Sequence, residues 1–272
     1  MKRLSLFEFE DFPWLPKSIR SGVTRLLSVF HRMMGTSSVL ADLLLDIRQT
    51  TPFEQIVDLG SGSGGAMPET VNKINAATPE NPVTLILTDK YPDPETLAKY
   101  NDGPSPYIRY RATSMDAREM DKAPEGLKTM IASFHHMEPA TARDILHAAA
   151  RNKQPLFIYE LAQNSIPTFL WWLLLPLSLC ILFLMTWFMT PFIRPLTFKQ
   201  ILFTYLIPVI PLVYAWDGQA SLVRTYTFKD LELLLEGHDA EGYTWVMKEA
   251  RKKNGKSAGY YLLGYTEDEK AG

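Results

Sequence analysis

"IVDLGSGSGGAMPE", residues 56–69, joins an apolar strand-like run to a helical pattern through four glycines. Glycine permits a tight turn and lets a ligand approach the backbone closely. The loop satisfies two sequence templates, namely G-x-G-x-x-G at Gly60, Gly62 and Gly65, and D-x-G-x-G-x-G at Asp58, Gly60, Gly62 and Gly64. No G-K-[ST] follows the glycines, which excludes a P-loop. The loop by itself predicts a nucleotide-like cofactor and leaves both templates open.

Three acidic residues favour the second template. Asp58 stands two residues before the first glycine, where a dinucleotide fold usually buries an apolar side chain. Asp89 ends "LILTD", a position from which a carboxylate accepts hydrogen bonds from ribose hydroxyls. Asp116, in "ATSMDA" after the next strand, is placed to receive the exocyclic amine of an adenine.

Strand and helix patterns alternate from residue 55 onward. The expected strands are "QIVDL", "VTLILTD", "YIRYR", "KTMIAS" and "PLFIYEL", and helical patterns lie between most of them. This βαβ alternation predicts a parallel, doubly wound α/β sheet. Near the C-terminus, "YTWVMKEARKKNGKSAGYYLLGYTE" predicts two antiparallel strands joined at Asn254-Gly255.

With these motifs the chain resembles a class I S-adenosylmethionine-dependent methyltransferase over residues 54–160 and 225–265. The resemblance implies a Rossmann-like, seven-stranded, mostly parallel sheet that ends in the antiparallel hairpin. It implies S-adenosyl-L-methionine as the cofactor. It also implies that Gly60, Gly62 and Gly64 border the methionine moiety after Asp58, with Asp89 at the ribose and Asp116 at the adenine.

"FHHMEP", residues 134–139, is the candidate catalytic segment. It resembles the His-His found after the fourth strand in family members that act on small or lipid substrates, and the family's Asn/Asp-Pro-Pro signature of N-methyltransferases is absent. We therefore expect O- or C-methylation, for which a histidine is a suitable general base. His135 and His136 are the candidates for this base, and strand alternation predicts that one of them faces the pocket. Glu138 is expected to orient a histidine or the acceptor.

Composition narrows the class of protein. The 272 residues carry a net charge of −2, which argues against a nucleic-acid partner. The single cysteine, Cys180, excludes a disulfide within the chain. No metal is predicted, because His31, His147 and His238 have no metal-ligand spacing. The N-terminus lacks the pattern of a signal peptide, so a cytoplasmic location is expected for the bulk of the chain.

A long apolar stretch interrupts the globular pattern. Residues 166–193 contain no charged side chain, and a second apolar run, 200–216, contains Pro208 and Pro211. Arg194 and Lys199 lie between the two runs. "TPFIRP", "YLIPVIPL" and "WDGQASLVRTYT" resemble a group of bacterial methyltransferases with an apolar insert.

Three interpretations of this insert remain open. A re-entrant or in-plane membrane hairpin is favoured, because a full crossing would leave the cations of the connecting loop outside, against the positive-inside tendency. In that case Arg194 and Lys199 extend to headgroups. The alternatives are a two-span hairpin, and a buried lid or oligomer interface in a soluble protein.

Basic segments elsewhere have two interpretations as well. Residues 16–34 predict an amphipathic helix with a basic face, which either packs on the core or lies on an anionic leaflet. The turn "RKKNGK", residues 251–256, is either solvated or directed at the same leaflet. Arg224 and Tyr226 are candidates for contact with a polar headgroup. Glu160, like Glu138, is a candidate for orienting a histidine or the acceptor. A structural role is the alternative for all of them.

Four segments follow from these patterns: N-terminal amphipathic helices (1–52), the Rossmann-like cofactor-binding core (53–160), the hydrophobic membrane-associated insert (161–216) and a C-terminal completion of the core (217–272). The expected function is methyl transfer to a lipophilic acceptor on the cytoplasmic side of a membrane. An NAD(P)-dependent oxidoreductase of a lipid and a non-catalytic cofactor-binding membrane module are the alternatives, and oligomerisation is left open.

Overall fold

The computed structural model describes residues 1–237 and 240–266. The chain forms two compact units, which we call the sheet unit (Gly35–Leu161 and Phe228–Gly272) and the insert unit (Met1–Met34 and Ala162–Thr227). Among the described residues the elements follow in the order α1 (Lys17–Met34), α2 (Thr36–Arg48), β1 (Gln55–Leu59), α3 (Met67–Ala77), β2 (Thr84–Thr88), α4 (Pro94–Asn101), β3 (Ile108–Tyr110), β4 (Leu127–Ile131), α5 (Pro139–Arg151), β5 (Leu156–Glu160), α6 (Thr168–Met189), α7 (Phe198–Ile201), α8 (Val209–Arg224), α9 (Phe228–Leu235), β6 (Tyr243–Arg251) and β7 (Ser257–Thr266).

The sheet unit is built on one seven-stranded sheet in the order β3-β2-β1-β4-β5-β7-β6. The first five strands of that order are parallel, and β7 is antiparallel to both β5 and β6. Strands β4 and β5 are almost continuously buried, as expected for parallel strands with both faces covered. The predicted α/β class, the seven strands and the antiparallel ending are confirmed.

Local sequence explains where the elements of this unit begin and turn. Proline occupies the first helical position of α4 and α5, where its missing N–H costs no hydrogen bond. The turn between β6 and β7 contains Gly255 at φ +79°, a left-handed conformation that favours glycine. This turn is the one predicted at Asn254-Gly255.

The insert unit consists of helices α1, α6, α7 and α8 with the N-terminal segment. α1 buries Ile19, Val23, Leu26 and Val29 in a cluster that also contains Ile210 of α8. A Cβ at Gly22 of α1 would collide with Ile210, so glycine permits close packing of α1 on α8. The predicted helix of residues 16–34 is confirmed, although Met33, an apolar residue near its end, is exposed.

α6 is apolar on all sides but is buried on only one of them. Its buried residues are Trp171, Leu175, Thr186 and Met189. Trp171 donates a hydrogen bond from Nε1 to Oε1 of Gln219 in α8, at 3.1 Å. Thr168–Phe192 is one helical stretch of the described chain that is long enough and apolar enough to cross a membrane.

The second apolar run is broken, as its prolines predict. Residues Leu202–Leu206 form a π-helical segment, and the helical stretch Phe198–Leu206 meets α8 at an angle of 78° immediately around Pro208. Proline removes a backbone donor and clashes with the preceding turn, which accounts for the break. α8 continues to Arg224, so the expected segment boundary at residue 216 falls inside a helix.

The two units divide the chain differently from the four expected segments. The expected segment 1–52 is split, because α1 belongs to the insert unit whereas α2 belongs to the sheet unit and contacts α3. The expected segment 217–272 is split as well, because its residues up to Thr227 belong to the insert unit. Periodicity indicates that a helix is amphipathic, but it does not identify the surface that covers its apolar face.

Candidate active site

The candidate residues of the sheet unit lie where its parallel strands end. The glycine loop follows β1, Asp89 follows β2, the histidine pair follows β4 and Glu160 ends β5. The carboxyl ends of parallel strands share one edge of a sheet, where open α/β folds bind their ligands. The topology thus collects these chemical groups from four separate segments of the chain.

The glycine loop has a conformation that larger residues rarely adopt. Gly60, Gly62 and Gly64 have φ values of +69°, +51° and +97°. Ser61 fixes the loop, since its N–H donates to the carbonyl oxygen of Thr88 at 2.9 Å and its hydroxyl donates to the carbonyl oxygen of Asp58 at 2.8 Å. The loop is therefore held against the ends of β1 and β2.

Asp58 is buried beneath this loop. Its Oδ1 accepts a hydrogen bond of 2.6 Å from the hydroxyl of Thr129, the residue paired with it in the register of β1 and β4. Burial raises the pKa of Asp58 to about 7, partly opposed by its hydrogen bonds to Thr129 and Ser61. The leading acid of the motif therefore has a hydrogen-bond donor beside it and titrates near neutral pH.

Asp89 connects the glycine loop to the end of β2. Its Oδ2 accepts a hydrogen bond from the N–H of Gly62 at 2.8 Å, and its Oδ1 accepts one from the N–H of Tyr91 at 2.8 Å. Tyr110 donates from its hydroxyl to the carbonyl oxygen of Gly62 at 3.1 Å. The carboxylate predicted for ribose thus already contacts the loop predicted to border the methionine moiety.

Asp116 is brought to the same edge through the backbone. The N–H of Met115 donates to the carbonyl oxygen of Asp89 at 2.9 Å. The Asp116 carboxylate binds the Arg118 guanidinium at 3.0 and 2.8 Å and lies 3.2 Å from Nζ of Lys90. The hydrogen bonds from Arg118 hold the pKa of Asp116 well below its usual range. This acid remains ionised as a hydrogen-bond acceptor.

Ser133, two residues after the end of β4, was not among the predicted site residues. Its hydroxyl oxygen is buried and has no hydrogen-bond partner among the described residues. A Cβ placed on Gly60 would lie 3.8 Å from this oxygen, so the hydroxyl is adjacent to the glycine loop. A buried hydroxyl usually has a partner, which makes Ser133 a candidate ligand contact. A polar residue at the end of the predicted parallel strand "KTMIAS" was the available signal.

His135 and Glu160 form a buried pair across β4 and β5. Nδ1 of the His135 ring lies 2.9 Å from Oε2 of Glu160, and the backbone N–H of His135 donates to Oε1 at 2.9 Å. His136 is partly exposed, with its ring centroid 4.4 Å from that of His135. Strand alternation does not apply to this pair, because β4 ends at Ile131 and Phe134–His136 is a 3₁₀ turn.

The other predicted residues are distributed differently. Glu138 is exposed at the start of α5, two residues beyond His136. Arg224 is buried in the insert unit, 3.1 Å from Oε1 of Glu8 and 2.6 Å from Oδ2 of Asp11. Tyr226 is buried in that unit as well, beneath the Arg3 guanidinium. His238, considered for metal binding, lies outside the described residues.

No family model matches the sequence, and no curated protein matches it. Solved structures do match. The plantazolicin methyltransferase BpumL in complex with SAH is 12% identical with a TM-score of 0.50, covering 90% of this chain and 96% of that one. BpumL with a monoazolic desmethylPZN analog and SAH is also 12% identical, with a TM-score of 0.52 and coverage of 91% and 89%.

The plantazolicin methyltransferase BamL, in complex with a triazolic desmethylPZN analog and SAH, is 8% identical, with a TM-score of 0.51 and coverage of 92% of this chain and 98% of that one. At identities this low, the similarity shows the fold alone, and the chemistry of this chain has to be argued from its own residues. The chain has the α/β fold of the class I S-adenosylmethionine-dependent methyltransferases.

Proposed function

We propose that this chain is an S-adenosylmethionine-dependent methyltransferase that acts on a lipophilic acceptor at the cytoplasmic face of a membrane. The observation that carries the proposal is the shared sheet edge at which the glycine loop, Asp89 and the His135–Glu160 pair meet. O- or C-methylation is favoured over N-methylation, and we assign the chain to a bacterial group with an apolar insert. Neither nucleic acid nor a metal is part of the proposal.

The residues present suit this cofactor. The Ser133 hydroxyl is buried next to Gly60 and has no partner in the described part of the chain, as expected for a group that a ligand completes. Asp89 is positioned beside Gly62, where a carboxylate would hold the ribose, and Asp116 would receive the adenine amine. S-adenosylmethionine would supply an electrophilic methyl group on a sulfonium. SAH is bound in the solved BpumL and BamL structures.

The His135–Glu160 pair gives the chain a means of removing a proton. When Nδ1 of His135 donates to Oε2 of Glu160, the lone pair is on Nε2, and the backbone N–H of His135 donates to Oε1, which fixes the carboxylate beside the ring. A general base fixed in this way accepts the proton of a hydroxyl or an acidic carbon. We therefore assign Glu160 to orienting His135 and His135 to the acceptor, with His136 and Glu138 nearer the solvent.

The lipophilic acceptor is inferred from the insert unit. The most exposed side chains of α6 are phenylalanine and leucine, including Phe169, Leu173 and Phe188 at 73–75% exposure. A soluble monomer rarely leaves a continuous apolar surface of this kind in water. The chain passes from Glu160, which binds the candidate base and ends β5, to the insert unit at Ala162, so two residues of sequence connect the base's partner to this unit.

Cofactor binding separates the proposal from the oxidoreductase alternative. Isothermal titration should show binding of S-adenosylhomocysteine and none of NADPH. Replacing Asp89 with alanine removes a carboxylate acceptor, so the dissociation constant should rise about 10- to 100-fold. Asp102→Ala, an exposed acid at the end of α4, is the matched control and should leave the constant unchanged. Binding of NADPH alone would contradict the proposal.

Turnover separates an enzyme from a cofactor-binding module. Transfer of labelled methyl groups from S-adenosylmethionine to an extracted membrane lipid fraction should fall about 10²- to 10⁴-fold in His135→Ala/His136→Ala. Affinity for S-adenosylhomocysteine should persist, which shows that the variant is folded. A lack of transfer by the unmodified chain to every lipid fraction, with cofactor binding intact, would favour the non-catalytic module. Rapid methylation of a water-soluble acceptor without lipid would contradict the lipophilic assignment.

A further inference from the structure

Four cations from two distant parts of the sequence meet at one end of the insert unit. α1 contributes Arg25 and Arg32, and the α6–α7 connection with α7 contributes Arg194 and Lys199. Arg25 donates from Nη1 to the Thr197 hydroxyl at 3.3 Å. Arg32 donates from Nη2 to the carbonyl oxygen of Phe192 at 3.1 Å. We call Arg25, Arg32, Arg194 and Lys199 the tip cluster.

The tip cluster has no neutralising acid. No Asp or Glu occurs in residues 12–41 or 161–216. Within the described chain, none of the four cations forms a salt bridge, and Arg194 donates to the carbonyl oxygens of Pro191 and Ile193, both at 2.9 Å. Arg32, Arg194 and Lys199 are exposed. Four positive charges at one surface with no counter-charge attract an anion, most strongly at low ionic strength.

Apolar side chains surround these cations. Met33, Phe192 and Phe198 are 63–75% exposed. Val29, Arg32, Met33 and Phe192 line an open cavity of about 370 Å³. Exposed aromatic rings beside arginine and lysine are typical of surfaces that enter the headgroup layer of a bilayer, since the rings immerse while the cations contact phosphate.

We infer that the tip cluster binds the phosphodiester groups of anionic phospholipids, with Phe192 and Phe198 immersed beside them. A guanidinium presents paired donors to two phosphate oxygens, which suits Arg32 and Arg194. α1 packs most of its apolar face on α8, so it contributes its basic face and Met33 to this surface. This inference rests on the membrane part of the proposed function and names the lipid class and the surface that meets it.

The other basic segment of the chain lacks these properties. In the turn of residues 251–256, Lys253 lies 3.1 Å from Asp42, and Arg251 pairs with Glu249. No large apolar side chain of residues 240–266 is exposed. The turn is therefore a solvated cationic loop, and it serves as a matched control of similar charge.

Cosedimentation of the full chain with vesicles tests the inference. We expect binding to phosphatidylcholine vesicles to increase when phosphatidylglycerol is included, and the increase to disappear at high salt. Each cation near an anionic surface accounts for about a fivefold change, so Arg32→Gln/Arg194→Gln/Lys199→Gln should lower the partition coefficient about a hundredfold on anionic vesicles. On neutral vesicles the variant should behave like the unmodified chain.

Two further variants keep the result interpretable. Arg32→Lys/Arg194→Lys preserves charge but not guanidinium geometry and should retain most of the binding, which an effect on folding would not predict. Lys252→Gln/Lys253→Gln/Lys256→Gln removes the same number of charges from the hairpin turn and should change binding less than twofold. An equal loss in both triple variants would overturn the assignment to the tip cluster.

Failure of the inference is distinguishable from failure of the proposed function. Equal binding of the unmodified chain to neutral and anionic vesicles would overturn the headgroup assignment and leave membrane association standing. No binding to either vesicle would overturn both. Affinity for S-adenosylhomocysteine, measured on the same preparation, reports on the methyltransferase part independently.

Discussion

β5 and α6 are both rich in apolar residues, but β5 buries its side chains whereas α6 leaves most of its side chains at the surface. All five residues of β5 are buried, and Phe157 and Tyr159 rank among the largest fully buried side chains. In α6, four residues of twenty-two are buried. Hydrophobic stabilisation depends on the area removed from water and not on the residue type alone. β5 therefore stabilises the fold, whereas most of α6 is available to another apolar phase.

The largest expected effect tests that difference on α6. Changing Phe169, Leu173, Leu177 and Phe188 together to glutamine removes exposed apolar groups. Each such group is worth about 1.5–3 kcal/mol in an apolar phase, so partition into vesicles should fall roughly a thousandfold or more. The melting temperature in detergent-free buffer should stay nearly constant. Undiminished recovery of this variant with membranes would contradict the conclusion that the exposed side chains of α6 enter an apolar phase.

A matched pair of phenylalanines gives the next largest effect. Phe157→Ala in β5 should lower the free energy of unfolding by about 3–5 kcal/mol through the cavity that it leaves. Phe188→Ala, at a position that is 75% exposed, should change it by no more than about 0.5 kcal/mol. Denaturant titration of both variants provides the measurement. A large loss of stability in Phe188→Ala would mean that α6 is covered in solution.

A smaller effect is expected from the buried acid of the sheet unit. Burial raises the pKa of Asp58 from 3.8 to about 7, so its contribution to stability is complete below the lower value and is lost as the pH rises through the upper one. Asp58→Asn is neutral at every pH and retains an acceptor for Thr129. Between pH 5 and 8 its stability relative to the unmodified chain should increase by about 2–3 kcal/mol. A constant difference across this range would show that Asp58 is not desolvated.

The smallest effect concerns Trp172, whose fluorescence reports how deeply α6 enters a bilayer. Trp172 of α6 is half exposed, so Trp172→Phe should leave vesicle partition within about twofold, because the ring that replaces it is also apolar. Quenching of tryptophan fluorescence by lipids brominated on their acyl chains should decrease in the variant. Trp245→Phe in β6 is the control and should preserve the quenching. Unchanged quenching in Trp172→Phe would place this part of α6 outside the hydrocarbon.

Patterns carried by neighbouring residues were sufficient for much of the fold. Short apolar runs predicted β1, β2, β4 and β5, and Asn254-Gly255 predicted the hairpin, because strand and turn preferences follow from residues adjacent in the chain. The glycine loop and Asp89 were found for the same reason, since they lie at or directly after the ends of predicted strands. The break before α8 was visible in Pro208.

Tertiary structure alone decided the partners of individual side chains. It distinguished His135 from His136 through Glu160, a residue 25 positions away, and it placed Ser133 beside Gly60. It put Arg224 and Tyr226 in the interior of the insert unit, and it joined α1 to that unit and α2 to the other. Local sequence determined which side chains are apolar, charged or flexible, because these are properties of single residues and their neighbours. Which of them meet depends on sheet order and helix packing, which bring together residues far apart in the chain.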